Sequence, residues 1–317
     1  MSAALASDSF PKTQTIASGD LTSDLSITGA ELRHLLDLAT DVKQNPTRYA
    51  TALRYRYLSL LFEKPSLRTR LTFELAIKQL GGDAVASIGL IGDREPVKDI
   101  ARNLDRWTNA IVARTFTQQT IEELAEWSSV PVINALSDLY HPCQSFADLQ
   151  TIEEHFGALA GVKLCFVGDG NNVAHSLLLN GARLGMHVCV ACPEGYEPNA
   201  QVLAQAAAFA QQSGGAVSVT NEAVDGVRNS QVVYTDVWTS MGQESEAEDR
   251  KKTFAPFQVN AGLMSAAAKD SVFLHCLPAK REQEVTDAVI ESPQSLVFDQ
   301  AENRLHAQKA LLLMLLA

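Results

Sequence analysis

Short β-branched and apolar runs alternate with longer helical stretches along most of the chain, and this alternation constrains the fold more than any other feature. In the first half, residues 55–62 read as a strand and residues 71–80 as a helix with Phe73, Ile77 and Leu80 on one face. Gly81 and Gly82 end that helix as a C-cap does. Further strands are expected at residues 111–113 and 132–133, with a helix over 121–127 between them. In the second half, strands at 162–167, 187–192, 231–235 and 272–275 alternate with helices at 174–184 and 201–212. Such alternation predicts an α/β fold of parallel sheets covered by helices on both faces. A length of 317 residues suits two domains. They are expected to meet near residues 138–150 through a bridging helix, and a last helix over 301–316 is expected to pack back onto the first domain.

Charge and composition narrow the class of function. A net charge of −11 argues against nucleic acid as a partner, because a phosphate backbone needs a basic surface. A hydrophobic content of 46% with 20% charged residues fits a packed globular protein. The first two dozen residues are small and polar, resemble neither a signal nor a transit peptide, and are expected to form a loose tail. The apolar end, residues 311–317, is too short to span a bilayer, so no membrane partner is expected. Five cysteines, an odd number without framework spacing, fit a reducing cytoplasm.

Ligands in parallel sheets sit beyond the carboxyl ends of the strands, so the turns that follow each strand carry the functional argument. Ser66, Leu67, Arg68, Thr69 and Arg70 open a helix just after Pro65. Free backbone N–H groups and the positive dipole end favour an anion there, and Arg68 adds a planar fork suited to phosphate. The same residues would also serve as an ordinary N-cap with solvated arginines. His141-Pro142-Cys143-Gln144 follows a strand and precedes a helix. His141 and Gln144 could hold the two ends of an amide-like group, with Arg114 supporting its oxygen as part of an oxyanion hole. Taken singly, a histidine before proline is more commonly a loop residue.

The set of turns resembles the aspartate/ornithine carbamoyltransferase family, from roughly Leu32 to Leu313. Ser66 to Arg70 resembles its carbamoyl-phosphate loop, Val112-Ala113-Arg114-Thr115 its arginine segment, and His141 to Gln144 its carbamoyl-binding motif. Residues 236–242 resemble the Asp-x-x-x-Ser-Met-Gly segment that marks free ornithine as acceptor, and His275-Cys276-Leu277-Pro278 resembles the His-Cys-Leu-Pro motif. The resemblance implies transfer of a carbamoyl group from carbamoyl phosphate to the δ-amine of L-ornithine, giving citrulline and phosphate. It implies that Ser66, Leu67, Arg68, Thr69, Arg114, His141, Gln144 and Arg304 bind carbamoyl phosphate. Asn172, Asp236, Ser240, Met241, Cys276 and Leu277 would bind ornithine, with Cys276, Asp236, Arg114 and His141 carrying the chemistry. It further implies two domains with the site in the cleft, residues 1–145 for carbamoyl phosphate and 146–300 for ornithine, with 301–317 packed back on the first. A homo-oligomer built on trimers is implied too, and no metal or organic cofactor, because the donor carries its own leaving group.

The chemistry has a clear requirement. The attacking amine resembles a lysine amine with a pKa near ~10.4, and only its neutral form is a nucleophile. Asp236 and Cys276 could orient it and take its proton; direct attack without a carbamoyl-cysteine is the simpler route. Two departures from the family pattern stand out: residues 88–92 lack the glutamine common in that loop, and Leu67 replaces a threonine. Other acceptors, N-acylated ornithine or putrescine, would change the 236–242 segment. Three other classes fit single features. Gly168-Asp169-Gly170 resembles a dinucleotide-binding turn, but Val173 stands in place of the third glycine. Cys189 and Cys192 have the spacing of half a zinc site, without a second pair. A catalytically dead binding paralogue would lack some of the matched polar residues.

Overall fold

A computed structural model describes residues 13–239 and 244–317. It contains two parallel sheets. The first has strands β1 (Tyr57–Phe62), β2 (Asp83–Ile88), β3 (Ala110–Arg114) and β4 (Val132–Leu136), in the order β2-β1-β3-β4. The second has β5 (Lys163–Val167), β6 (His187–Ala191), β7 (Ala216–Thr220), β8 (Val232–Thr235) and β9 (Val272–His275), in the order β7-β6-β5-β8-β9. Every strand pair is parallel. The α/β class expected from the alternation is therefore the class found.

Helices α1 (Gly29–Gln44), α2 (Leu67–Gln79), α3 (Val97–Trp107) and α4 (Gln118–Trp127) accompany the first sheet. Helix α5 (Pro142–Phe156) crosses between the sheets. Around the second sheet lie α6 (Asn172–Arg183), α7 (Ala200–Ser213), α8 (Ala223–Val227), α9 (Ala247–Phe254), α10 (Ala261–Met264) and α11 (Asp287–Ile290). Helix α12 (Val297–Leu316) closes the chain and packs against α1, α2 and α5. Helix α5 starts with Pro142 in its first turn, ends on left-handed Gly157, and buries every residue from Pro142 to Ile152. Its Phe146, Leu149 and Ile152 share one core with Leu58 and Leu60 of β1 and with Leu164 and Phe166 of β5. That shared core fixes how the two sheets face each other.

The central strands match the sequence reading to within two residues, but β2 and β7 carry no clear signal. Both are edge strands with half-exposed faces, so their residues need not form an apolar run. Helix α3 fully buries Ala101 alone, yet Val97, Ile100, Ala101 and Leu104 share one face against the core at helical spacing, a period that the sequence reading passed over. Helix α1 also escaped that reading, although Thr28 and Glu31 form a reciprocal capping box at its start.

The expected loose tail is corrected over residues 13–24. Leu21 is fully buried and bonded to the backbone of Val132 and Asn134 beside β4. Asp24, also fully buried, accepts from Ser176 Oγ (2.5 Å) and Asn180 Nδ2 (2.6 Å) of α6. The N-terminal segment thus ties the first sheet to α6. Burial pushes the Asp24 carboxyl from 3.8 up to about 6, against the hydrogen bonds and Arg183. Between those values the folded chain holds a proton that the unfolded chain has lost, so stability falls as pH rises through this window. Asp24→Asn, whose NH2 must face one of these two donors, should therefore change Tm more favourably at pH 7.5 than at pH 4. Equal changes in melting temperature at the two pH values would refute this.

Candidate functional site

In each sheet the chain reverses its direction of strand addition at one point, between β1 and β3 and again between β5 and β8. A crevice opens beyond the strand ends at such a switch point. The loop at residues 63–66 leaves β1 and Arg114 ends β3, so both stand at the first crevice. Residues 168–172 follow β5 and Asp236 follows β8, so they stand at the second.

At the first crevice, Ser66 is the N-cap of α2 in extended conformation, and its side chain does not bond the helix's free N–H groups. Those donors point at whatever occupies the crevice. Leu67 is exposed, so its contribution is its backbone, while Thr69 is buried and accepts from Arg304 Nη2 at 2.7 Å. Arg304 itself is buried on α12 and its Nε lacks a partner, as does Nε of Arg114. Burial first, then Arg304, pushes the Arg114 guanidinium down to about 10, with Arg68 adding to the repulsion. Three cations crowded against each other in a partly dry pocket make a site for an anion of more than one charge.

His141 and Gln144 stand beside this cluster at the start of α5. His141 is buried, its Nδ1 has no partner, and burial with the nearby Arg304 and Arg114 holds it neutral. A neutral imidazole between arginines can donate to a carbonyl oxygen. Gln144 gives its Nε2 to Asp148 (2.8 Å), and its Oε1 is buried without a partner. A buried unpaired acceptor costs about 1–3 kcal/mol until a ligand N–H supplies the bond.

At the second crevice Asp236, 8% exposed, accepts from Cys276 Sγ at 3.1 Å through Oδ1 and from Asn171 Nδ2 at 3.0 Å through Oδ2. Burial and Asp236 push the Cys276 thiol well above its ordinary range, so it is an S–H donor and not a thiolate. Leu277 takes φ +56°, uncommon for a leucine, and its N–H donates to His275 Nδ1 at 2.9 Å. Its side chain packs on the second sheet's core. Asn172 opens α6 and donates Nδ2 to Ser137 O at 2.6 Å, which ties the second crevice to the loop before His141. Ser240 and Met241 lie outside the described residues. The stretch that leads to them is anchored by Arg250, which donates Nε to Trp238 O at 2.6 Å, pairs with Asp169, and lies over the rings of Tyr196 and Phe254.

Two of the other classes lose their footing on this geometry. A Cβ on Gly170 would lie 2.3 Å from Pro198 N, so the glycine admits the chain's own backbone where a dinucleotide would need space. Asp236, His275 and Cys276 are the described residues whose ligand atoms lie close enough to hold a metal. His275 already uses both nitrogens, Nδ1 on Leu277 N and Nε2 on Glu284 at 3.3 Å. Cys189 and Cys192 do not enter such a group among the described residues.

Two family models match nearly end to end: the carbamoyl-P binding domain of aspartate/ornithine carbamoyltransferase over residues 20–154, and its Asp/Orn binding domain over residues 160–315. The chain belongs to the aspartate/ornithine carbamoyltransferase family. Ornithine carbamoyltransferase of Anoxybacillus flavithermus is 51% identical over 292 residues, covering 90% of this chain and 93% of its own. The enzyme of that name from Symbiobacterium thermophilum is 53% identical over 268 residues, covering 84% and 86%. Among solved structures, ornithine carbamoyltransferase from Pyrococcus furiosus superposes with a TM-score of 0.92 at 47% identity, covering 95% of this chain and 98% of that one.

Within this carbamoyltransferase framework, sequence reasoning missed several residues that hold the site together. Asn171, next to the expected Asn172, makes the bond to Asp236. Its signal was its position as N-cap of α6, which the Asn171-Asn172 pair hides. Asp148 and Gln300 lie among other buried polar residues of α5 and α12, Tyr234 stands in the apolar strand β8, and Arg250 lies beyond the motif it anchors. No described helix is long and apolar enough to cross a membrane.

Proposed function

We propose that the chain transfers the carbamoyl group of carbamoyl phosphate to the δ-amine of L-ornithine, releasing citrulline and phosphate. One observation carries this reading. Arg68, Arg114 and Arg304 converge beside the unpaired polar atoms of His141 and Gln144, and Asp236 with Cys276 faces them closely enough to act electrostatically on Arg114. Such a constellation matches a phosphate, an amide-like group and an amine placed in a row.

The phosphate sits on the N-terminus of α2, held by backbone N–H groups of residues 66–69, by the Ser66 and Thr69 hydroxyls, and by Arg68. Arg114, Arg304 and neutral His141 donate to the carbonyl oxygen and stabilise the charge that grows there as the amine attacks. Gln144 Oε1 accepts from the carbamoyl NH2. Holding the amine neutral at pH 7 costs about 4–5 kcal/mol in solution terms. Attack forms the new C–N bond, the C–O bond to phosphate breaks, and the amine proton passes to Asp236 or to the departing phosphate. The Cys276 thiol orients Asp236 and stays unmodified. Asn172, Ser240, Met241 and the Leu277 backbone hold the amino-acid end of ornithine. Residues 1–145 with 301–317 serve the donor and 146–300 the acceptor, with α5 shared.

We also propose a homo-oligomer of trimers or their multiples. Leu67, Leu71 and Leu75 form an exposed ridge on α2, and Val85, Ile88 and Leu90 lie exposed along and just beyond edge strand β2. A cytoplasmic setting suits five free cysteines, of which Cys276 must stay reduced.

The deciding assay offers ornithine, acetylornithine, succinylornithine, putrescine and aspartate in parallel and measures each carbamoylated product. Product with ornithine is expected, and light scattering of the same sample should give a multiple of three chains. Cys276→Ala should lower turnover by roughly 10²-fold and leave carbamoyl-phosphate affinity within about 3-fold. Product with another amine instead would overturn the acceptor assignment, and unchanged turnover in the variant would remove Cys276 from the chemistry.

A further inference from the structure

An amide can point either way, and the chemistry expected of Gln144 works in only one orientation. Its oxygen must face the donor's NH2. What sets that orientation is a buried chain of hydrogen bonds that begins at a group unable to turn over. The backbone N–H of His275, at the end of β9, donates to Gln300 Oε1 at 2.9 Å. This commits the other end of Gln300 to donation: Nε2 gives one hydrogen to Asp148 Oδ1 (2.6 Å) and one to Tyr234 Oη (3.0 Å). Asp148, fully buried one turn beyond Gln144 on α5, accepts at the same Oδ1 from Gln144 Nε2 (2.8 Å). Burial pushes the Asp148 carboxyl up to about 7, so it can carry a proton, but an Oδ1 that faces the Gln300 NH2 keeps its lone pairs for donors and leaves any proton to Oδ2. Gln144 must therefore turn its NH2 to that oxygen and its Oε1 outward, where it lies buried and unpaired.

We propose that Asp148 and Gln300 are positioning residues. They hold the Gln144 amide with its oxygen toward the donor, and so make the site select a donor that carries an N–H there. The same chain sets the donor pocket in register with the acceptor side, since His275 precedes Cys276 and Tyr234 lies two residues before Asp236. Neither residue touches substrate in this assignment, which rests on the carbamoyl-phosphate site described above.

The test compares affinity for carbamoyl phosphate with affinity for acetyl phosphate, which has a methyl group in place of the NH2. A role in folding alone would weaken both compounds alike and leave their ratio fixed. The intact enzyme should prefer carbamoyl phosphate by at least ~10-fold, the size expected for one buried acceptor left unpaired. Asp148→Ala should reduce that ratio to within about 3-fold of unity. Asp148→Asn, which keeps an acceptor oxygen at the same place, should restore most of the preference. Gln300→Met removes the chain at its origin with little change of volume, and should lower the ratio even if Asp148→Ala fails to fold. A ratio unchanged in whichever of Asp148→Ala and Gln300→Met folds would overturn the proposal. So would an Asp148→Asn variant as unselective as Asp148→Ala. An intact enzyme that binds neither compound would instead overturn the donor-site reading itself.

Discussion

Arg114→Met should make the ligand-free protein more stable and nearly inactive. Arg114 is 9% exposed, and its guanidinium is pushed from 12.5 down to about 10, first by burial and then by Arg304. Between those two values the unfolded chain binds more protons than the folded one, so stability rises with pH across that window. At neutral pH the full penalty is in force. Methionine fills a similar volume without charge, and replacing a charge in a buried ionic cluster by an apolar group stabilises by on the order of 1–2 kcal/mol. In a chain of this size that is a Tm increase of roughly 2–6 °C. Loss of a donor to the developing oxyanion should cut kcat/KM for carbamoyl phosphate by about 10³-fold. Thermal melts and steady-state rates on one preparation check both signs. A destabilised variant, or one that keeps more than about a tenth of its activity, would contradict the placement of Arg114 as a strained cation awaiting an anion.

Asp236→Asn should strike the other substrate. The carboxylate accepts from Cys276 and Asn171, one through each oxygen. An asparagine must turn its NH2 toward one of those donors, and it loses the negative charge that holds and deprotonates the amine. The expected loss in kcat/KM for ornithine is about 10³-fold at pH 7.5, with KM for carbamoyl phosphate within about 3-fold of the original. The pH profile carries the mechanistic part. Without the carboxylate, ornithine must arrive already neutral, so the rate of the variant should follow the free-amine fraction upward through pH 9.5, whereas the original enzyme levels off earlier. A loss below about 10-fold would pass the proton-accepting role to the departing phosphate.

Much of the chain was legible because of a simple physical asymmetry. Strands β1, β3, β5, β8 and β9 are buried almost throughout, so they must be apolar runs, and such runs are visible in one dimension. Edge strands β2 and β7 meet water along one side and leave no such mark. The strand-end rule pointed to Ser66 to Arg70, Arg114, His141 and Gln144 before any contact was known. The family resemblance added Asp236, Cys276 and Arg304 as candidates.

The sequence by itself determined the class of fold, the buried strands and the polar turns that follow them, because these follow from local periodicity and from groups that stand a few residues apart. Only the tertiary structure decided which crevices those turns share. Strand orders β2-β1-β3-β4 and β7-β6-β5-β8-β9 arise from pairings between distant segments. The same holds for the polar groups that orient the site. Gln300 reaches Asp148 across 152 residues of chain, Arg250 reaches Asp169 across 81, and Asn171 reaches Asp236 across 65. A buried polar side chain is tolerated only with its partner, and the partner's identity is a property of packing that no local pattern encodes.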